Sequence, residues 1–236
     1  MDIKNSSNAL LVAGIVSVGV LSSGQVFSAT NASAKDSSGT VRTIKAQIWA
    51  DNWFALYSGD TLIKQDSEPF EKERSFNTEN FTFPITLPAK LSVVMRDHFQ
   101  NNTGLEYIGT PHQQVGDGGF IAQFVDADTG ETLAVSDNSW QCIVTHKAPL
   151  NRAECEHSSN PEQVCKYKID PEPENWKSSG FDYSPWPHAT TYTSWDVQPH
   201  GDYHWWSWKL AAKFIWSDDL VVDNTVLCRF TIPAPR

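Results

Sequence analysis

From about residue 40 onward, apolar and polar residues alternate in short runs separated by Gly, Pro, Asn and Asp. The runs TIKAQIWA (43–50), NWFALYSG (52–59), ENFTFPITLP (79–88), AKLSVVMRD (89–97) and GGFIAQFVDA (118–127) are rich in β-branched and aromatic residues. ETLAVS (131–136), WQCIVTH (140–146), AAKFIWSDDL (211–220) and NTVLCRFTI (224–232) continue the series. Each reads as a strand, and helices are nearly absent. Within one run Phe120, Ala122 and Phe124 fall on one side and Ile121, Gln123 and Val125 on the other, the pattern of a strand with one face in a sandwich core. Asp126-Ala127-Asp128-Thr129-Gly130 lies between two runs and reads first as a hairpin loop. The same D-x-D-x-G string can begin a calcium loop, but the remaining ligands of such a loop are missing, so calcium is the lesser reading.

The residues ahead of these runs differ. Lys4 is followed by an apolar stretch from Ala9 to Leu21 and then by small and polar residues, the order of a secretory signal. A membrane-spanning helix needs roughly 20 residues, more than this stretch supplies. With cleavage between residues 28 and 34, residues 1–34 are expected to be signal and processing region, and 35–236 a single β-sandwich domain. The expected location is secreted or at the cell surface. A formal net charge of −10 with scattered acidic residues argues against nucleic acid as a partner, because phosphate binding needs a concentrated basic face. No second apolar stretch approaches membrane-spanning length.

Four cysteines in an exported chain are expected to be oxidised. Three pairings exist. The preferred one joins Cys155 to Cys165 around a polar segment and Cys142 to Cys228 between two apolar runs. A thiolate metal site is disfavoured because the C-x-x-C spacing is absent. The segment from Asn151 to Pro187 is dense in Pro, Glu, Asn and Ser and reads as a long loop pinned by its disulfide.

Several phrases taken in order resemble the galactose-binding-like jelly roll: ADNWFALY (50–57), GDGGFIA (116–122), SDNSWQC (136–142), GFDYSPWP (180–187) and IWS (215–217). The resemblance implies an all-β fold, an antiparallel β-sandwich with long loops, in which Trp140, Trp186 and Trp216 fill the space between the sheets. This scaffold hosts carbohydrate-binding modules among other binders, so it does not name a function.

Catalytic motifs are absent: there is no G-x-S-x-G, H-E-x-x-H or phosphate-binding glycine loop. Gly116 to Gly119 reads as a strand start where backbones approach closely. Asp218 and Asp219 would point to opposite faces of a strand and read as a solvated turn. The chain is therefore expected to bind rather than catalyse.

Histidine and tryptophan offer the remaining chemistry. In extended chain Trp186 and His188 share a face, and His200 or His204, in the loop PHGDYHWW, could approach them. Imidazoles under aromatic rings suit copper or zinc better than calcium. The phrase Trp186-Pro187-His188, with the signal and four cysteines, resembles the copper-repressible surface proteins of methane-oxidising bacteria, the CorA and MopE type.

That resemblance implies one Cu(I) held by two histidines and a tryptophan oxidised to kynurenine, for copper acquisition or storage. Trp186 would be the modified residue and His188 one ligand. His204 is the first choice for the second ligand, then His200, then His98. A haem peroxidase-like enzyme would be the oxidising partner. The competing expectation from the same residues is a carbohydrate-binding or adhesion module that stacks exposed tryptophans on sugar rings.

Overall fold

The computed structural model describes residues 39–71 and 76–234. The expected signal region lies outside the described residues. The chain forms β1 (Thr40–Asp51), β2 (Trp53–Ser58), β3 (Thr61–Gln65), β4 (Thr78–Leu87) and β5 (Ala89–Arg96). The short pair β6 (Leu105–Glu106) and β7 (Gln114–Val115) precedes β8 (Gly119–Asp126), β9 (Thr132–Val135) and β10 (Gln141–Lys147). Two single-turn helices, α1 (Arg152–Cys155) and α2 (Pro161–Val164), lead into β11 (Lys168–Ile169) and β12 (Thr190–Tyr192). A third, α3 (Ser194–Val197), and a 3₁₀ turn at Tyr203–Trp205 precede β13 (Phe214–Trp216) and β14 (Asp223–Ile232).

Apart from the two-stranded β6-β7 pair, these strands make two antiparallel sheets. One has the order β12-β13-β8-β1-β4, with β9 also on β8; the other runs β11-β10-β14-β5-β2-β3. The all-β sandwich expected from the alternation is the observed architecture. Ile48, Ala50, Phe120, Ala122 and Phe124 of the first sheet face Leu56, Val93, Met95, Val226 and Phe230 of the second across one core. Trp140 lies in this core and stacks on Phe230 with ring centroids 3.8 Å apart, and Trp216 is fully buried in it. Both tryptophans therefore do the filling expected of them.

The outer faces of the sheets are not left to solvent. Trp49 and Ile121, which alternate with core residues, and Phe214 of β13 bury the outer face of the first sheet under Val197 and Ala212. Ala55, Val94 and Leu227 do the same on the second sheet under Trp176 and Trp186. Trp186 thus sits outside the sandwich, a correction to its expected place between the sheets. The reason is local: Trp186 closes a turn by donating its N–H to the Tyr183 carbonyl at 2.9 Å, so strand alternation does not govern it.

Turn chemistry follows the sequence closely. Asp126 Oδ1 accepts from the Asp128 and Thr129 N–H groups, and Gly130 takes φ 75°, which makes a hairpin between β8 and β9 as the spacing predicts. Ser136 is fully buried where β9 hands the edge of β8 to β13. Its Oγ accepts from the Ala122 N–H at 2.9 Å and donates to the Lys213 carbonyl at 2.7 Å. One fully buried and one partly buried backbone group are satisfied there.

Both expected disulfides are present, Cys142–Cys228 and Cys155–Cys165. The first joins residues directly opposed on β10 and β14; the second pins the two single-turn helices. Such bonds belong to an oxidising compartment. Among the described residues no helix is long and apolar enough to cross a membrane.

The sequence separations of the bridged pairs are 86 and 10 residues, and chain entropy assigns closure of such loops about 4.6 and about 2.7 kcal/mol. Replacing Cys142 and Cys228 together by Ala should therefore lower stability in urea more than replacing Cys155 and Cys165. Equal or reversed losses would contradict this ranking.

Candidate functional site

The segment from Gln198 to Lys213 crosses the outer face of the first sheet and builds a feature at each end. Its anchor is Trp49, fully buried, whose Nε1–H donates to the Phe76 carbonyl at 3.1 Å. Tyr203 and Phe214 pack edge-on against the same indole at 5.9 and 5.7 Å. Trp208 then stacks on Tyr203 at 5.6 Å. Asp202 Oδ1 accepts from the Thr78 N–H at 2.7 Å and ties the segment to β4.

Next to this anchor is a polar groove. Asn80, Gln47 and Gln123 are register partners on β4, β1 and β8, so their side chains form a row on the outer face. Gln47 Nε2 and Gln123 Nε2 both donate to the Ser207 carbonyl, at 3.3 and 3.2 Å, and Gln123 Oε1 accepts from the Lys209 N–H at 2.8 Å. The amides hold the crossing segment as a wall. The groove between wall and sheet has a volume of about 630 Å³ and is lined by Lys45, Asn80, Trp205 and Trp206 among others. Trp205 is 83% exposed and Trp206 42%.

At the other end lies an acidic cavity of about 410 Å³, lined by Asp51, Asn52, Phe76, Glu106, Asp117 and His200 among others. Asp97 lies behind it, fully buried, with no hydrogen-bond partner for either carboxylate oxygen. Gly116 passes so close that a Cβ there would meet Asp97 Oδ2 at 2.7 Å, which explains the glycine at this strand start. Burial, then the neighbouring acids Asp117 and Glu106, hold the Asp51 carboxyl well above the ordinary carboxylate range. The same happens to Asp97, through burial first and then through Asp51, Glu106 and Asp117. Burial also raises Asp117, and His200 opposes it.

The five residues expected to hold copper are dispersed. Trp186 packs on Trp176 and Phe181 at 6.0 and 5.6 Å, over the second sheet. His188 is exposed, with Nδ1 bonded to the Asn138 carbonyl at 2.9 Å. His204 packs on Tyr203 at 5.0 Å and bonds the Pro199 carbonyl, over the first sheet, on the opposite side of the sandwich from Trp186. His200 lies on Phe76 at 5.3 Å and faces the acidic cavity. His98 is buried beneath Phe70, with Nδ1 bonded to the Phe70 carbonyl. The structure brings none of the three second-ligand candidates to Trp186 and His188. Among the described residues no group of three or more His, Cys, Asp or Glu is placed to hold a metal ion.

The lesser calcium reading also loses its loop, because Asp126 is engaged by backbone N–H groups and by Arg42 at 3.6 Å. The acids that do converge, Asp51, Asp97 and Asp117, come from separate segments, and no spacing in the sequence joins them. Comparison of the chain with protein-family models, curated proteins and solved structures finds no match.

A carboxyl with a raised folded pKa keeps its proton longer folded than unfolded. Its contribution to stability is present in acid and is lost as pH rises through the folded value. In chelator-treated protein, Asp97→Asn should therefore gain in melting temperature relative to the parent between pH 5 and pH 8. In a domain of this size about 1 kcal/mol corresponds to about 2–4 °C. A difference that shrinks across that interval would show that Asp97 is not charged at the cost of the fold.

Proposed function

We propose that the protein is an exported carbohydrate-binding module that works by binding, not turnover, through the groove beside Trp205 and Trp206. One observation carries the reading: two exposed indoles flank a groove floored by a sheet and edged with amides and ammonium groups. A sugar ring has an apolar face and a rim of hydroxyls. An indole meets the face, while Asn80, Lys45 and Lys209 offer hydrogen bonds to the rim. Exposed aromatic rings on a polar surface are unfavourable in water unless something covers them, and clustering marks a binding surface.

The groove is open along the sheet, which suits the interior of a chain more than a buried end group. The crossing segment is fixed by Trp49, Gln47 and Gln123, so little ordering is lost on binding. Copper binding at Trp186 and His188 draws no comparable support, since His204, His200 and His98 each make their ring contacts and hydrogen bonds with other residues.

Screening against an array of cell-wall polysaccharides, followed by titration of the best soluble oligosaccharide, tests the proposal. Trp205→Ala and Trp206→Ala should each weaken binding about tenfold or more, the effect of about 1.4 kcal/mol. Melting temperatures should hold because both rings are exposed. Trp195, 87% exposed but outside the groove lining, provides the control: Trp195→Ala should leave affinity unchanged. Retention on no glycan, or equal losses in all three variants, would overturn the reading.

A further inference from the structure

We infer that the acidic cavity binds a hard divalent cation of the calcium type, with Asp51 and Asp117 as carboxylate ligands on its wall and Asp97 as the charge behind them. The inference stands apart from the glycan reading, because it uses different residues at the other end of the crossing segment.

Three segments distant in sequence deliver the acids. β1 ends at Asp51, β5 runs out into Asp97, and the turn before β8 carries Asp117. Backbone bonds fix the approach. Asn52 N–H donates to the Arg96 carbonyl at 2.8 Å, His98 N–H to Asn52 Oδ1 at 2.6 Å, and Gly118 N–H to the Leu220 carbonyl at 2.7 Å. Gly116 and Gly118 admit the close contacts: a Cβ on Gly118 would meet the Trp216 ring at 2.3 Å.

Convergence alone would not make a site. The second observation is the state of the acids. Asp51 is 4% exposed, lines the cavity, and makes no side-chain hydrogen bond or ion pair among the described residues. Asp97 is 1% exposed, and both its oxygens lack partners. A buried carboxylate without a partner is costly, and the usual remedy is an opposite charge or a bound metal. Among the described lining residues there is no lysine or arginine; the one basic group is His200, beside Asp117. An ion of +2 would supply the missing charge.

The donor set selects the class of ion. The Asp51 and Asp117 carboxylates and the Gln114 carboxamide on the wall offer oxygen donors, which suit calcium or magnesium over copper or zinc. Calcium accepts six to eight oxygens in irregular geometry, whereas magnesium demands a near-ideal octahedron. With no group of three or more acidic or imidazole ligands closing around one point, water must complete the shell. The expected affinity is therefore that of extracellular modules, with Kd on the order of 0.1–1 mM.

The test is a calcium titration of the full-length protein after EDTA and dialysis, read by calorimetry and by thermal unfolding. Saturable heat, with a melting temperature that rises by a few degrees at about ten times Kd, is the expected result. Asp51→Asn should weaken that response at least tenfold. Asp117→Asn, at a less buried position, should do the same and serves if the Asp51 variant does not fold. No saturable response up to about 10 mM calcium, an equal response to magnesium or to sodium chloride at matched ionic strength, or an unchanged response in both variants would overturn the inference.

Discussion

The outer half of this molecule depends on the burial of Trp49. A tryptophan on the outer face of a β-strand cannot stay wet without exposing a large apolar area, roughly 150–250 Å² for an aromatic side chain. The chain packs it beside Phe214 of β13, covers it with Tyr203 and gives its indole N–H to the Phe76 carbonyl. The segment that supplies this cover must then cross the sheet, and both of the features with binding character lie along its path. The groove lies where the segment is held by Gln47 and Gln123; the acidic cavity lies where Phe76 and His200 meet. Trp205 and Trp206 remain exposed beyond the cover that Trp49 needs, and that surplus distinguishes a binding wall from a packing layer.

The second sheet solves the same problem differently. The loop from about residue 170 to 187 lays Trp176, Phe181 and Trp186 over Ala55, Val94 and Leu227. Buried Arg229 donates from Nη1 to the Trp176 carbonyl and lies 5.1 Å from the Tyr183 ring centroid, so its charge is met by a carbonyl dipole and a π-face. This side is consumed by packing. The two aromatic loops look alike in composition but differ in what they leave over: nearly buried rings on one side, exposed rings beside polar groups on the other.

What could be read from the sequence follows from how local the signal is. Alternation in 43–50, 118–127 and 224–232 predicts β1, β8 and β14 and the core roles of Phe120 and Phe124, whereas the core roles of Trp140 and Trp216 come from the jelly-roll resemblance. The cysteine pairing was legible because Cys142 and Cys228 sit in apolar runs that pair in register. Short polar strands such as β3 and β12 carry too little periodicity to be seen. A turn, not a strand, sets the direction of Trp186, so strand alternation does not place it: its ring is buried on Trp176, while His188 two residues on is exposed. Asp51, Asp97 and Asp117 stand at strand ends or in a turn, and their convergence depends on the register of three strands. No spacing along the chain encodes it. The groove was legible only as a surplus of tryptophan, since Gln47 and Gln123 read as ordinary outward residues until the fold shows them gripping Ser207.

The central claim is that the sheet face under the crossing segment is the binding surface. The most direct measurement follows the indole and side-chain amide resonances of the isotope-labelled protein by NMR during titration with the oligosaccharide that binds best. The account predicts saturable shifts at the Nε1–H groups of Trp205 and Trp206 and at the Asn80 amide, with Trp176 and Trp186 unmoved. Shifts centred on Trp176 and Trp186, with the groove silent, would contradict it.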